Sequence, residues 1–154
     1  QGEIYLKANG YINYEVSAWR KEKPSAHNLN YWQFGDYLAI GAGAHGKVTM
    51  IDGVYRFQKT RLPKDYLAKV PAENLQFKKI EAGDMPFEFM MNALLLNDVV
   101  AASNNADRTG LNLSELDETL ISLRQRQLMV DDQNRLACTE QGHVFLNSVL
   151  EEFL

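Results

Sequence analysis

Val48-Thr49-Met50-Ile51-Asp52-Gly53-Val54-Tyr55-Arg56-Phe57 is the stretch on which the reading of the fold turns. Asp-Gly tolerates the positive φ angles of a type I′ turn, and the flanking residues are β-branched and aromatic, so the segment predicts an antiparallel hairpin. Working back from it, Tyr37-Leu38-Ala39-Ile40 is a short apolar run ending in Gly41 and reads as a buried strand. Tyr11-Ile12-Asn13-Tyr14-Glu15-Val16 alternates apolar and polar residues, the period-2 pattern of a half-buried strand, with Glu15 on its polar face. The polar stretch 20–30, containing Pro24, separates the two. The chain opens at Gln1, without an initiating Met and in strand-like sequence, which is what a piece of a longer protein would show.

Downstream of the hairpin the pattern changes to helix. Residues 61–83 read as a connector, with Pro63 and Pro71 bracketing a short helix at 64–70. Asp84-Met85-Pro86 then opens a helix, with Asp84 as cap and Pro86 in the first turn, where its missing N–H costs nothing. Phe87, Met90, Met91, Leu94 and Leu95 would form its buried face. Asn112 or Ser114 can cap a further helix with the stripe Leu116, Leu120, Ile121 and Leu123. Leu128-Met129-Val130 and Arg135-Leu136-Ala137-Cys138 flank a polar turn, and Thr139 caps a terminal helix burying Val144, Phe145, Val149 and Phe153. Helix, hairpin and helix together are winged-helix-like. The expectation is an α+β chain with three parts: strands and loops over 1–60, a connector over 61–83, and a helical domain over 84–154.

Composition excludes several classes. The 154 residues are 45% hydrophobic and 23% charged, the balance of a globular domain rather than a disordered tail or a fibre. Cys138 is the one cysteine, so no internal disulfide can form and no cysteine cluster can hold zinc or iron–sulfur within the chain, and packing as a small apolar residue is its expected role. No run reaches the roughly 18 apolar residues of a membrane span, and no charged-then-apolar leader opens the chain. A reducing, cytoplasmic setting is expected. Residues 1–83 carry 12 Lys+Arg against 8 Asp+Glu, whereas 84–154 carry 4 against 12, which suggests two units with different jobs or two surfaces that face each other. The overall charge of −4 argues against a dedicated nucleic-acid binder.

Two segments carry candidate chemistry. His27-Asn28-Leu29-Asn30-Tyr31-Trp32, followed by Gly35-Asp36-Tyr37, is non-periodic and reads as a binding loop. An imidazole there can ligate a metal or heme iron. The residues alone leave a second reading open, in which His27 and Asn28 satisfy buried backbone groups and Tyr31 and Trp32 fill a core. Gly41-Ala42-Gly43-Ala44-His45-Gly46 matches the dinucleotide pattern GxGxxG literally, but strand-like sequence follows it where a phosphate-binding helix should start. What survives is a glycine-rich strand end that lets backbone approach a ligand or a packed neighbour, with His45 as a second candidate ligand. Glu15, two residues before Ser17, can serve as a site carboxylate or sit on a solvated strand face.

Tyr14-Glu15-Val16-Ser17, the His27–Trp32 element, Gly35-Asp36-Tyr37 and the 41–46 glycine run together resemble the HemW-type branch of the oxygen-independent coproporphyrinogen III oxidase family. Pro86-Phe87-Glu88-Phe89-Met90-Met91-Asn92 and Thr139-Glu140-Gln141-Gly142 are similar to that family's C-terminal domain. The resemblance implies a radical S-adenosylmethionine parent whose CxxxCxxC motif holds a [4Fe–4S] cluster on a partial (β/α) barrel, with a C-terminal domain over the barrel mouth. On that implication this chain is the last barrel strands plus the C-terminal domain, lacks the cluster cysteines, holds no cofactor with certainty and is inactive alone. The resemblance also implies site residues: His27, Asn28, Tyr31, Trp32 and His45 toward heme or substrate, with His27 as iron ligand, and Glu15, Gly41 and Gly43 toward the cofactor. Implied partners are heme or a porphyrin, the N-terminal radical half of the parent, and heme-acceptor proteins. Within the family, heme delivery competes with radical decarboxylation of porphyrin propionates. A winged-helix interaction module is the alternative outside these, and the excess of 8 Asp+Glu over 3 Lys+Arg in 112–154 counts against nucleic acid as its partner.

Overall fold

The computed structural model describes residues 1–97 and 100–154, and the side chains of these except at positions 71 and 72. Two compact units divide the chain, one formed by residues 1–34 with 84–154 and the other by 35–83. Every described strand pairing is antiparallel.

The first unit opens with α1 (Gly2–Ala8), a helix with no buried residue, where strand was expected. Ile4 and Tyr5 are both exposed, so the opening residues form a surface helix and not a half-buried strand. β1 (Ile12–Glu15) pairs with β2 (Ala18–Arg20), and the opposite edge of β1 is taken by residues 95–97. Val16 N–H donates to the Leu95 carbonyl and Asn97 N–H to the Tyr14 carbonyl, each at 3.0 Å. Ser25 caps α2 (Ala26–Trp32), its hydroxyl accepting from Asn28 N–H at 3.3 Å.

The second unit contains the expected hairpin, with its turn one residue earlier than expected. β3 (His45–Met50) and β4 (Gly53–Lys59) pair from His45↔Gln58 to Met50↔Gly53, so Ile51-Asp52 makes the turn and Gly53 (φ 145°) opens β4. Positive φ at Asp52, which a type I′ turn at Asp52-Gly53 requires, is not found. Asp52 accepts a 2.7 Å hydrogen bond from the Tyr55 hydroxyl. α3 (Pro63–Ala68) matches the proline-bracketed helix closely, and a 3₁₀ turn over Pro71–Asn74 leads into β5 (Leu75–Lys79). β5 was not anticipated. It lies on the outer edge of β4, and four of its five residues are exposed, so it lacks the apolar alternation that marks a half-buried strand. The 37–40 strand does not form. Only Tyr37 bridges to Lys47, while Leu38 and Ile40 are 79% and 91% exposed.

α4 (Met85–Ala93) returns the chain to the first unit. Its buried face is rotated from the expected one: Met85, Phe89, Met90 and Ala93 are inside, as is Leu94 just beyond the helix, whereas Phe87, Met91 and Leu95 are half-buried. Asp84 takes helical φ and ψ and makes no side-chain capping bond. β6 (Val100–Ala101), α5 (Ser103–Thr109) and α6 (Asp117–Gln125) follow. α6 buries Leu120 and Leu123 as expected but leaves Ile121 half-exposed. The expected hairpin is thin: Met129 bridges Cys138, and β7 (Arg135–Leu136) finds its two-residue ladder on β6 instead. The terminal helix breaks at Phe145 into α7 (Glu140–Val144) and α8 (Leu146–Glu151). Thr139 caps α7 as expected, and Val149 and Phe153 are buried, but Val144 and Phe145 are more than half exposed because the break turns them outward.

The last glycine of the 41–46 run has a packing role. A Cβ on Gly46 would stand 2.1 Å from Cζ of Phe57, which is buried on the neighbouring strand. We expect Gly46→Ala to destabilise the chain by about 1–3 kcal/mol through this overlap. Urea denaturation checks it, with Gly46→Ala/Phe57→Leu recovering part of the loss.

Candidate functional site

The His27–Trp32 element is helical, not a loop. Ser25 capping favours the turn, and two anchors hold it: Asn28 Nδ2 donates to the Tyr14 hydroxyl at 2.9 Å, and Phe34, just past the helix end, is 1% exposed against Phe89, ring centroids 5.6 Å apart. Non-periodicity misled the sequence reading because α2 is two turns long and carries no fully buried residue. His27 is exposed, and Tyr31, one turn on, meets it edge to face with centroids 4.5 Å apart. Asn28 and Trp32 are half-buried, and the Trp32 indole N–H is buried without a hydrogen-bond partner. Glu15 lies in the same unit but is 3% exposed, contrary to the solvated face expected of it; its carboxylate accepts from the Ser17 hydroxyl at 3.0 Å.

Gly41, Gly43 and His45 belong to the other unit. Gly41 and Gly43 have φ of 106° and 70°, the left-handed region that favours glycine, and Gly43 N–H donates to the Thr60 carbonyl at 2.9 Å. The run leads directly into β3, so no helix N-terminus awaits a pyrophosphate. His45 is exposed and borders a cleft of about 370 Å³ with Gly43, Gln58, Lys59, Thr60, Arg61, Lys69 and Gln76. Sequence reasoning missed this cleft; Lys59-Thr60-Arg61, cationic at alternate positions beyond the hairpin, was the available signal.

Asp36 anchors the same unit. It accepts 2.8 Å hydrogen bonds from Lys47 Nζ, Thr49 N–H and the Thr49 hydroxyl, and the Lys47 side chain is only 1% exposed. Burial raises the Asp36 carboxyl, but the bonds from Lys47 and Thr49 outweigh that and hold it below its ordinary value. Among the described residues no three His, Cys, Asp or Glu side chains come together to hold a metal. Cys138 is buried, and desolvation pushes its thiol up to about 11, so it is a packed thiol and not a ligand thiolate. These residues do not fit a [4Fe–4S] cluster. No described helix is long and apolar enough to cross a membrane.

Residues 80–145 match the HemN C-terminal domain. The whole chain is 43% identical to the heme chaperone HemW of Haemophilus influenzae and 40% identical to that of Escherichia coli. The chain belongs to the HemW-type branch of the HemN family. It spans about two fifths of the length of those relatives, 40% and 41%. The fold agrees with that of a larger HemN structure, the Escherichia coli coproporphyrinogen III oxidase, described as a radical SAM enzyme. The match has a TM-score of 0.64 at 15% identity and covers 99% of this chain and 39% of that one.

Two outcomes follow from the HemW-type chain's electrostatics. Because a depressed carboxyl stabilises the fold above its unfolded value of about 4 and loses that contribution as pH falls through its folded value, Asp36→Asn should cost stability at pH 7 and progressively less as the pH is lowered below that unfolded value. Breaking a fully buried pair costs about 3–5 kcal/mol, but Asp36 is 46% exposed, so about 1–2 kcal/mol is expected in urea unfolding. Ellman's reagent at pH 8 should leave Cys138 unmodified in the folded chain and modify it fully after denaturation.

Proposed function

We propose that this chain is the C-terminal part of a HemW-type heme chaperone that holds heme at the exposed face of α2 and passes it to acceptor proteins in the cytoplasm. The observation that carries the reading is identity of 43% and 40% along the whole of this chain to proteins named heme chaperones, in a chain whose His27 is exposed. A neutral imidazole binds iron through one ring nitrogen and needs an acceptor for the other. In this reading His27 is the iron ligand, Tyr31 and Trp32 offer aromatic surface to the porphyrin, and Asn28 fixes the helix through Tyr14. Exposure suits a delivery role, because cargo that must be handed on is better held at a surface than enclosed. Delivery is favoured over propionate decarboxylation because the likeness to the oxidase is one of fold at 15% identity.

The proposal extends to the parent. The [4Fe–4S] cluster and S-adenosylmethionine belong to the remaining length of the protein, since a single packed thiol does not supply the ligands. Residues 1–60 supply strands to its partial (β/α) barrel, and Glu15, Gly41 and Gly43 lie toward the cofactor. Residues 61–83 connect to a C-terminal domain over 84–154 with a winged-helix-like end, a reading supported by the family match and by the order α6, Met129–Cys138 bridge, α7.

In the full-length parent, His27→Ala should weaken heme binding about tenfold or more and shift the Soret band, with His45→Ala doing less and neither altering far-ultraviolet circular dichroism. An unfolded His27→Ala protein whose residual heme spectrum matches the wild type would overturn the assignment.

A further inference from the structure

The cleft beside His45 has an electrostatic character unlike the rest of its unit. Its floor is a row across all three strands, His45 on β3 facing Gln58 on β4 and Gln58 facing Gln76 on β5. Gln58 Nε2 donates to Gln76 Oε1 at 3.3 Å. Lys59, Thr60 and Arg61 continue from the end of β4, and Lys69 reaches in from beyond α3, its ammonium 3.4 Å from the Thr60 hydroxyl. The Gly43 turn closes one side: its φ of 70° excludes most side chains, and its Cβ position lies 3.6–3.9 Å from the Arg61 backbone and stem.

Three cations and a histidine therefore line one concavity, and no carboxylate lines it. Elsewhere in the unit two lysines stand against carboxylates, Lys47 with Asp36 at 2.8 Å and Lys79 near Asp52 at 4.0 Å, and Arg56 bonds the Tyr37 hydroxyl at 2.9 Å. Among the described residues no carboxylate pairs with Lys59, Arg61 or Lys69. Like charges gathered in a concavity repel one another, and an anion that neutralises them relieves that cost and gains focused attraction. Arg presents a planar fork suited to two oxygens, and glutamine and threonine add neutral donors. A volume of about 370 Å³ lies at the small end of ligand sites, roughly 300–1,000 Å³.

We propose that this cleft is an oxyanion site that takes a phosphate or diphosphate group, or the paired carboxylates at one end of a larger ligand. It stands on the geometry of residues 43–76 and not on the heme reading.

Inorganic pyrophosphate titrated into the ¹⁵N-labelled chain at physiological salt tests it. Saturable amide shifts confined to residues 43–45, 58–61, 69 and 76 are expected, weakened about tenfold in Arg61→Gln/Lys69→Gln, since charge-assisted bonds carry the binding. Both positions are exposed, and Lys59→Gln replaces the pair if the double variant fails to fold. Shifts that stay linear in pyrophosphate, or equal affinity in the variant, overturn the site. Competition then identifies the source: displacement of pyrophosphate by hemin but not by hemin dimethyl ester assigns the site to carboxylates, and displacement by neither assigns it to a phosphate-bearing ligand. Equal displacement by both would overturn it, because the ester has lost the charge. The Soret band of the same samples reports heme binding at His27 separately, so failure of one reading leaves the other standing.

Discussion

The burial of Phe34 is the interaction on which the arrangement of the first unit depends. Phe34 has φ of 59°, the left-handed region where glycine usually ends a helix. An L residue there costs about 1–2 kcal/mol. Burying a phenylalanine ring returns about 1.5–3 kcal/mol, and its edge-on contact with Phe89 adds about 0.5–1.5 kcal/mol. Burial wins, and the strained backbone is held by the ring it positions. This terminates α2 immediately after Trp32 and, with the Asn28–Tyr14 bond at the other end, sets which side of α2 is wet. The exposure of His27 is thus decided seven residues away.

A second theme is how charge is managed. Lys47 is buried and tolerated because Asp36 reaches it from the segment before β3 and is itself braced by Thr49. The cleft cations at 59, 61 and 69 face one another with no carboxylate among the described residues to pair with them. In one unit of 49 residues, positive charge therefore serves two purposes, cohesion where it is matched and attraction where it is not.

Much of this was legible in the sequence where local chemistry dominates. The hairpin around Asp52-Gly53, the helix at Pro63 and the cap at Thr139 were legible because each depends on its own backbone neighbours, although the turn itself sits one residue earlier, at Ile51-Asp52. What stayed hidden depends on distant partners. Residues 14–16 pair with 95–97, and β7 pairs with β6 in preference to its hairpin neighbour; neither choice is encoded near the residues that make it. The same holds for the site. The chemical identity of the His27 element stood out, but its helical form required Phe89, and Glu15 was buried by a strand eighty residues on. The cleft at Lys59 and Arg61 needed the register of three strands before it became visible.

The division of the chain has a kinetic corollary. The first unit is assembled from two separate stretches, 1–34 and 84–154, with 35–83 between them. The intervening unit is built from adjacent strands, the kind of topology that closes quickly. Joining the flanking stretches requires closing a loop of 49 residues, an entropic cost that grows only logarithmically with loop length and falls further when the loop is already compact. Prior collapse of the middle unit therefore shortens the search by which Tyr14 finds Asn97 and Phe34 finds Phe89. Loop closure thus favours a middle unit that forms before the stretch bearing His27 meets its partners from 84–154.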